Sequence, residues 1–174
     1  MTGYDIELTI DGDERTVTVE PRTLLVHVLR DDLGYTEPKI GCESSCCGAC
    51  TVQVDGQSVK SCTVLGVQAD GRAVQTAASL ADDGRFAHLQ EAFRDEHGTQ
   101  CGYCTPGMLA TSADLLSENP DPDRAEIRRA LGGNLCRCTG YQNVINAIEA
   151  AVEAYPTQEL GPVADVGETA AGDK

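Results

Sequence analysis

Eight of the nine cysteines in this 174-residue chain fall into two spaced sets. Cys42, Cys47, Cys50 and Cys62 follow C-x4-C-x2-C-x11-C, and Cys101, Cys104, Cys136 and Cys138 follow C-x2-C-x31-C-x-C. Thiolate is a soft anionic ligand suited to iron–sulfur clusters and zinc. Three ligands within nine residues make a tight loop around one edge of a cluster, and Cys62 closes that site from a later segment. Two four-thiolate iron–sulfur sites in a small chain imply a wire for single electrons. For the second set alone zinc stays open, because a C-x2-C pair with a later pair is also a zinc pattern. The first set's spacing favours iron, and the two sets together make iron the better reading. A centre with two histidine ligands does not fit, since His27, His88 and His97 form no cysteine-proximal pair. The ninth thiol, Cys46, reads as a spectator beside the loop; a ligand exchange with Cys47 or a redox-sensitive thiol is the alternative.

No other residues mark a place where a substrate is transformed. There is no P-loop, no G-x-G-x-x-G fingerprint and no Ser/His/Asp arrangement. The net charge is −15 with three lysines, Lys39, Lys60 and Lys174, so nucleic acid is not the expected partner. Solubility through self-repulsion explains such a charge. A cytoplasm of multimolar salt, where screening tolerates dense charge, explains it together with the scarcity of lysine. The chain starts without a basic and apolar leader, and no apolar run approaches the roughly 20 residues that cross a bilayer. These features predict a cytoplasmic protein with reduced thiols, no membrane insertion and no disulfide framework.

The elements that must position the thiols are readable in outline. Ile6, Leu8 and Ile10 alternate as in a half-buried strand, Asp11-Gly12-Asp13 turns the chain, and Val17 and Val19 carry a second strand. Thr23 can cap a short helix with Leu24, Leu25, Val28 and Leu29 on its apolar side. Val52 and Val54 lead into an Asp55-Gly56 hairpin. In the second half, Phe86, Leu89 and Phe93 share a helix face. Thr105-Pro106 opens a helix that Asn119-Pro120 ends. Asp123 with Glu126, and Thr139 with Gln142, resemble capping boxes, and Gly132-Gly133 stops the helix begun at Asp123. Four short helices suggest a compact bundle. Cys104 and Cys138 each stand just before a helix start, where unpaired N–H groups suit an anionic cluster. Gly41 and Gly48 let the backbone approach the cluster sulfides. The expected fold is α+β, with a ferredoxin-like domain over residues 1–78, a helical domain over 79–156 and a disordered acidic tail over 157–174, for which docking on a partner is the alternative.

Three stretches carry a resemblance: Gly41-Cys42-Glu43-Ser44-Ser45-Cys46-Cys47-Gly48-Ala49-Cys50-Thr51-Val52, Gln100-Cys101-Gly102-Tyr103-Cys104-Thr105-Pro106-Gly107, and Asn134-Leu135-Cys136-Arg137-Cys138-Thr139-Gly140-Tyr141. Together they resemble the small iron–sulfur subunit of the molybdenum hydroxylase family, which includes xanthine dehydrogenases, aldehyde oxidoreductases and aerobic carbon monoxide dehydrogenases. Ser44 and Ser45 depart from the glycine usual in that family between the first two cysteines. The resemblance implies an N-terminal β-grasp plant-type ferredoxin domain, a four-helix-bundle domain and two [2Fe–2S] clusters on the eight spaced cysteines. It also implies a molybdopterin cofactor on a large partner subunit and FAD on a medium one. By the same resemblance Gln100 contacts the pterin and Cys138 links its cluster to it.

Overall fold

The structure is a computed structural model that describes residues 3–82 and 86–154. The expected tail, 157–174, lies outside the described residues. Strand β1, Tyr4–Ile10, buries Ile6, Leu8 and Ile10 and pairs antiparallel with β2, Asp13–Val19. The turn between them holds Asp11 at φ 52° and Gly12 at φ 90°, the left-handed pair that a tight hairpin needs. β3, Thr51–Val54, and β4, Gln57–Lys60, form a second hairpin through Asp55 at φ 50° and Gly56 at φ 80°. A short strand unforeseen in the sequence, β5 (Ala73–Gln75), enters between the hairpins, parallel to β1 and antiparallel to β3. The sheet order is β2-β1-β5-β3-β4.

Helix α1, Leu25–His27, continues into a π-helical turn over Val28–Asp32 and lays Leu25, Val28 and Leu29 on the core of Ile6, Leu8, Ile10, Val52 and Val74. Thr23 does not cap it. Leu24 holds the cap position without a side-chain bond, and the Thr23 carbonyl accepts from the Gly66 N–H at 2.7 Å. Val26 turns the other way and packs with Cys50 and Cys62.

The second half contributes α2 (Ala77–Asp82), α3 (Ala87–Asp95), α4 (Thr105–Glu118), α5 (Arg124–Ala130) and α6 (Gln142–Ala154). Helix α2 was not expected. These helices share a separate core that includes Leu80, Phe86, Leu89, Phe93, Met108, Ile127 and Ile148. The Asp123–Glu126 capping box forms, with both backbone-to-carboxylate bonds at 2.7 Å. Helix α4 lies across β3, so Thr51 and Gln53 are buried along with Val52 and Val54. Among the described residues no helix is long and apolar enough to cross a membrane.

Candidate metal centres

The structure brings the eight spaced cysteines together as four pairs. Cys42 meets Cys47 and Cys50 meets Cys62 around the first loop. Cys104 meets Cys136, and the Cys101 and Cys138 sulfurs stand 3.6 Å apart. Among the described residues no three His, Cys, Asp or Glu side chains converge as they would on a single metal ion. Four thiols taken two by two suit a two-iron cluster, in which each iron takes two protein ligands. Cys46 joins no pair: its thiol is exposed and donates to the Ser44 carbonyl at 3.2 Å.

In each set one thiol has its pKa drawn below the usual value, which favours the thiolate. The Cys42 sulfur accepts N–H bonds from Ser44 and Cys47, each at 3.4 Å, and these pull its pKa down to about 6. Burial pushes Cys136 up, but the Thr139 hydroxyl at 3.2 Å and N–H at 3.4 Å, aided by the Cys138 N–H, outweigh it and bring it to about 7. Their apolar counterparts go the other way, since burial raises Cys50 to about 11 and Cys104 to about 12. N–H groups on a sulfur favour negative charge there, so the same donors suit an electron-accepting cluster. The donor set therefore fits [2Fe–2S] clusters at both places.

The helix starts differ from expectation by a residue or more. Cys104 itself occupies the cap position of α4, and Thr105 lies inside the helix. Thr139 forms no capping box with Gln142: its hydroxyl serves the Cys136 sulfur and the Tyr141 N–H, and Gln142 bonds Asn146. Gly41 does lie against the Cys47 sulfur, where a β-carbon would come within 2.8 Å. Gly48, at φ 70°, instead permits close approach to the second half of the chain. A β-carbon there would collide with the Gly133 carbonyl, and one on Gly107 with the Gly48 carbonyl.

This seam joins the two cysteine sets. The Leu135 N–H, next to Cys136, donates to the Cys47 carbonyl at 2.8 Å. Tyr103, between Cys101 and Cys104, donates its hydroxyl to the Ile40 carbonyl at 2.6 Å. Asn134 reaches the Gly48 carbonyl at 3.3 Å, and Tyr141 takes the Cys136 N–H at 2.8 Å. None of these contacts was read from the sequence; all but the Cys136–Tyr141 bond need segments far apart in it to meet. Gln100 is exposed, and so are its neighbour Cys101 and Cys138. Cys50 and Cys62 are buried.

Known proteins share this arrangement. Residues 8–81 match a family described as a 2Fe-2S iron-sulfur cluster binding domain, and residues 76–149 one described as a [2Fe-2S] binding domain. The gamma subunit of caffeine dehydrogenase from Pseudomonas sp. strain CBB1 is 47% identical over 163 residues, which is 92% of this chain and 96% of the relative. The xanthine dehydrogenase iron-sulfur-binding subunit of Escherichia coli O157:H7 is 43% identical, over 82% of this chain and 91% of its own. The crystal structure of quinoline 2-oxidoreductase from Pseudomonas putida 86 superposes with a TM-score of 0.83 at 46% identity, covering 88% of this chain and 96% of that one. Aldehyde oxidoreductase from Desulfovibrio gigas gives 0.79 at 36% identity, over 87% of this chain and 17% of that much longer one. The chain belongs to the family of small iron–sulfur subunits of the molybdenum hydroxylases. It is an oxidoreductase subunit of mixed α+β fold with two [2Fe–2S]-binding domains.

Proposed function

We propose that this chain carries electrons, one at a time, from a large molybdenum-cofactor subunit to a medium FAD subunit. The [2Fe–2S] clusters, when bound, each take up and release one electron. Cys42, Cys47, Cys50 and Cys62 would hold one, and Cys101, Cys104, Cys136 and Cys138 the other. The carrying observation is the Leu135 N–H bond to the Cys47 carbonyl, which ties the neighbour of one ligand directly to a ligand of the other set. The thiol exposure supports the direction: Cys101 and Cys138 reach the surface beside Gln100, where a partner's pterin can approach. A boundary near residue 78 agrees with the two cores, which end at Val74 and begin at Ala77. Helices α3 to α6 are read as a four-helix bundle, with α2 as an added segment that packs on the same core.

The test is anaerobic purification of the tagged chain from its own host. It should bring down two further subunits, molybdenum with the larger and FAD with the other. Substituting Gln100 by Ala should leave both clusters assembled and slow their reduction by substrate, with reduction by dithionite unchanged. Partners without molybdenum, or substrate reduction at the wild-type rate, would refute the reading.

A further inference from the structure

One charged group reaches the first cysteine loop from another element. His27, at the end of α1, places Nε2 2.6 Å from a Glu43 carboxylate oxygen and Nδ1 2.8 Å from one of Asp31. An imidazole whose two nitrogens both face carboxylates donates from both and carries a positive charge. Glu43 directly follows Cys42, at φ 50°, and Ser45 stands at φ 64°. Left-handed backbone at non-glycine residues persists only where the surroundings hold it. The two N–H bonds to the Cys42 sulfur come from Ser44 and Cys47, inside and just after this stretch. Glu43 would otherwise set an unpaired negative charge beside the ligand of an anionic cluster.

We propose that His27 is a positioning residue for the first site: its cation neutralises Glu43 beside Cys42 and holds the loop so that the Ser44 and Cys47 N–H groups stay on the Cys42 sulfur, keeping the reduction potential of this site up. This rests on the reading that Cys42, Cys47, Cys50 and Cys62 hold a [2Fe–2S] cluster. Net charge and hydrogen bonds to the sulfurs set such potentials, and both effects of His27 act in the same direction. The side chains are partly exposed, so the effect is greatest at low salt.

The test is potentiometric titration, followed by electron paramagnetic resonance, of the full-length chain reconstituted with iron and sulfide in dilute buffer. His27→Gln should lower the potential of the first site. Glu43→Gln should raise it, since it removes a negative charge and keeps an oxygen for His27. We expect a three- to tenfold change in the reduced-to-oxidised ratio at fixed potential; tenfold is about 59 mV for one electron. The second site should not move. A merely structural tether would shift both variants the same way, and that result, or no shift in either, overturns the proposal. If His27→Gln fails to assemble, Glu43→Gln decides alone: a rise supports the proposal and no rise overturns it. Absence of the ferredoxin-type signal from the wild-type chain would instead refute the cluster reading beneath it.

Discussion

Cys46 and Cys47 are neighbours with opposite environments. Cys47 pairs with Cys42, and burial raises its pKa, whereas Cys46 points its exposed thiol back at Ser44. Cys46→Ser should therefore keep both cluster signals, and Cys47→Ser should lose the ferredoxin-type signal alone. Electron paramagnetic resonance of the reduced variants checks this, and the reverse pattern would move the ligand by one residue. His27 offers a pH test. The bond to Asp31 leads in raising its pKa above 6.5; burial opposes this and Glu43 adds to it. A raised pKa gives stability that is fully present below about pH 6.5 and is lost as pH rises through the folded value. The melting advantage of wild type over His27→Gln should thus be larger near pH 6 than at pH 9, though small because the pair is partly exposed. Equal advantages at both pH values would remove the charged imidazole. The two sets of four thiols were legible because their short C-x4-C-x2-C, C-x2-C and C-x-C spacings form a recognisable pattern. His27 was not, since no motif marks its contact with Glu43.

Glycine-on-glycine contact between α4 and the first cysteine loop sets how closely the two halves approach. Gly107→Ala would drive a methyl group into the Gly48 carbonyl. Overpacking of this kind costs about 1–3 kcal/mol. The variant should melt lower, bind both clusters and show weaker magnetic interaction between them when both are reduced. An unchanged interaction would mean that the seam does not set the separation. Asp123→Ala removes a formed capping box and should cost about 1 kcal/mol by denaturant unfolding, without touching either cluster. Sequence reading succeeded where the signal is local and periodic. Ile6, Leu8 and Ile10 gave β1, Asp55-Gly56 gave a hairpin, and Leu89 and Phe93 gave a buried helix face, with Phe86 buried at the cap position just before it. It missed β5 and α2, because segments of three and six residues are too short to show a period and owe their form to neighbours brought together by folding. It misplaced the roles of Thr23, Thr105 and Thr139, because sulfur atoms and tertiary partners compete with the helix ends for the same groups.

The molecule as a whole carries −15 with three lysines. If this surface is adapted to high salt, removing salt unscreens the self-repulsion and loosens the fold. Thermal midpoints should rise from dilute buffer to multimolar potassium chloride, and an unchanged or falling midpoint would leave solubility as the reason for the charge. The two halves of the chain, one built on the sheet and one on the helices, each bring together four thiols as two pairs. The seam with the Leu135–Cys47 bond joins the two sets. The central claim is that both sets hold iron and sulfide. The direct measurement is iron, zinc and acid-labile sulfide on chain purified without oxygen, with the paramagnetic resonance spectrum after dithionite reduction. About four irons and an equal amount of sulfide per chain are expected, with two distinguishable signals, as two [2Fe–2S] clusters require. Iron near zero with stoichiometric zinc, or half the iron with a single signal, would contradict the account.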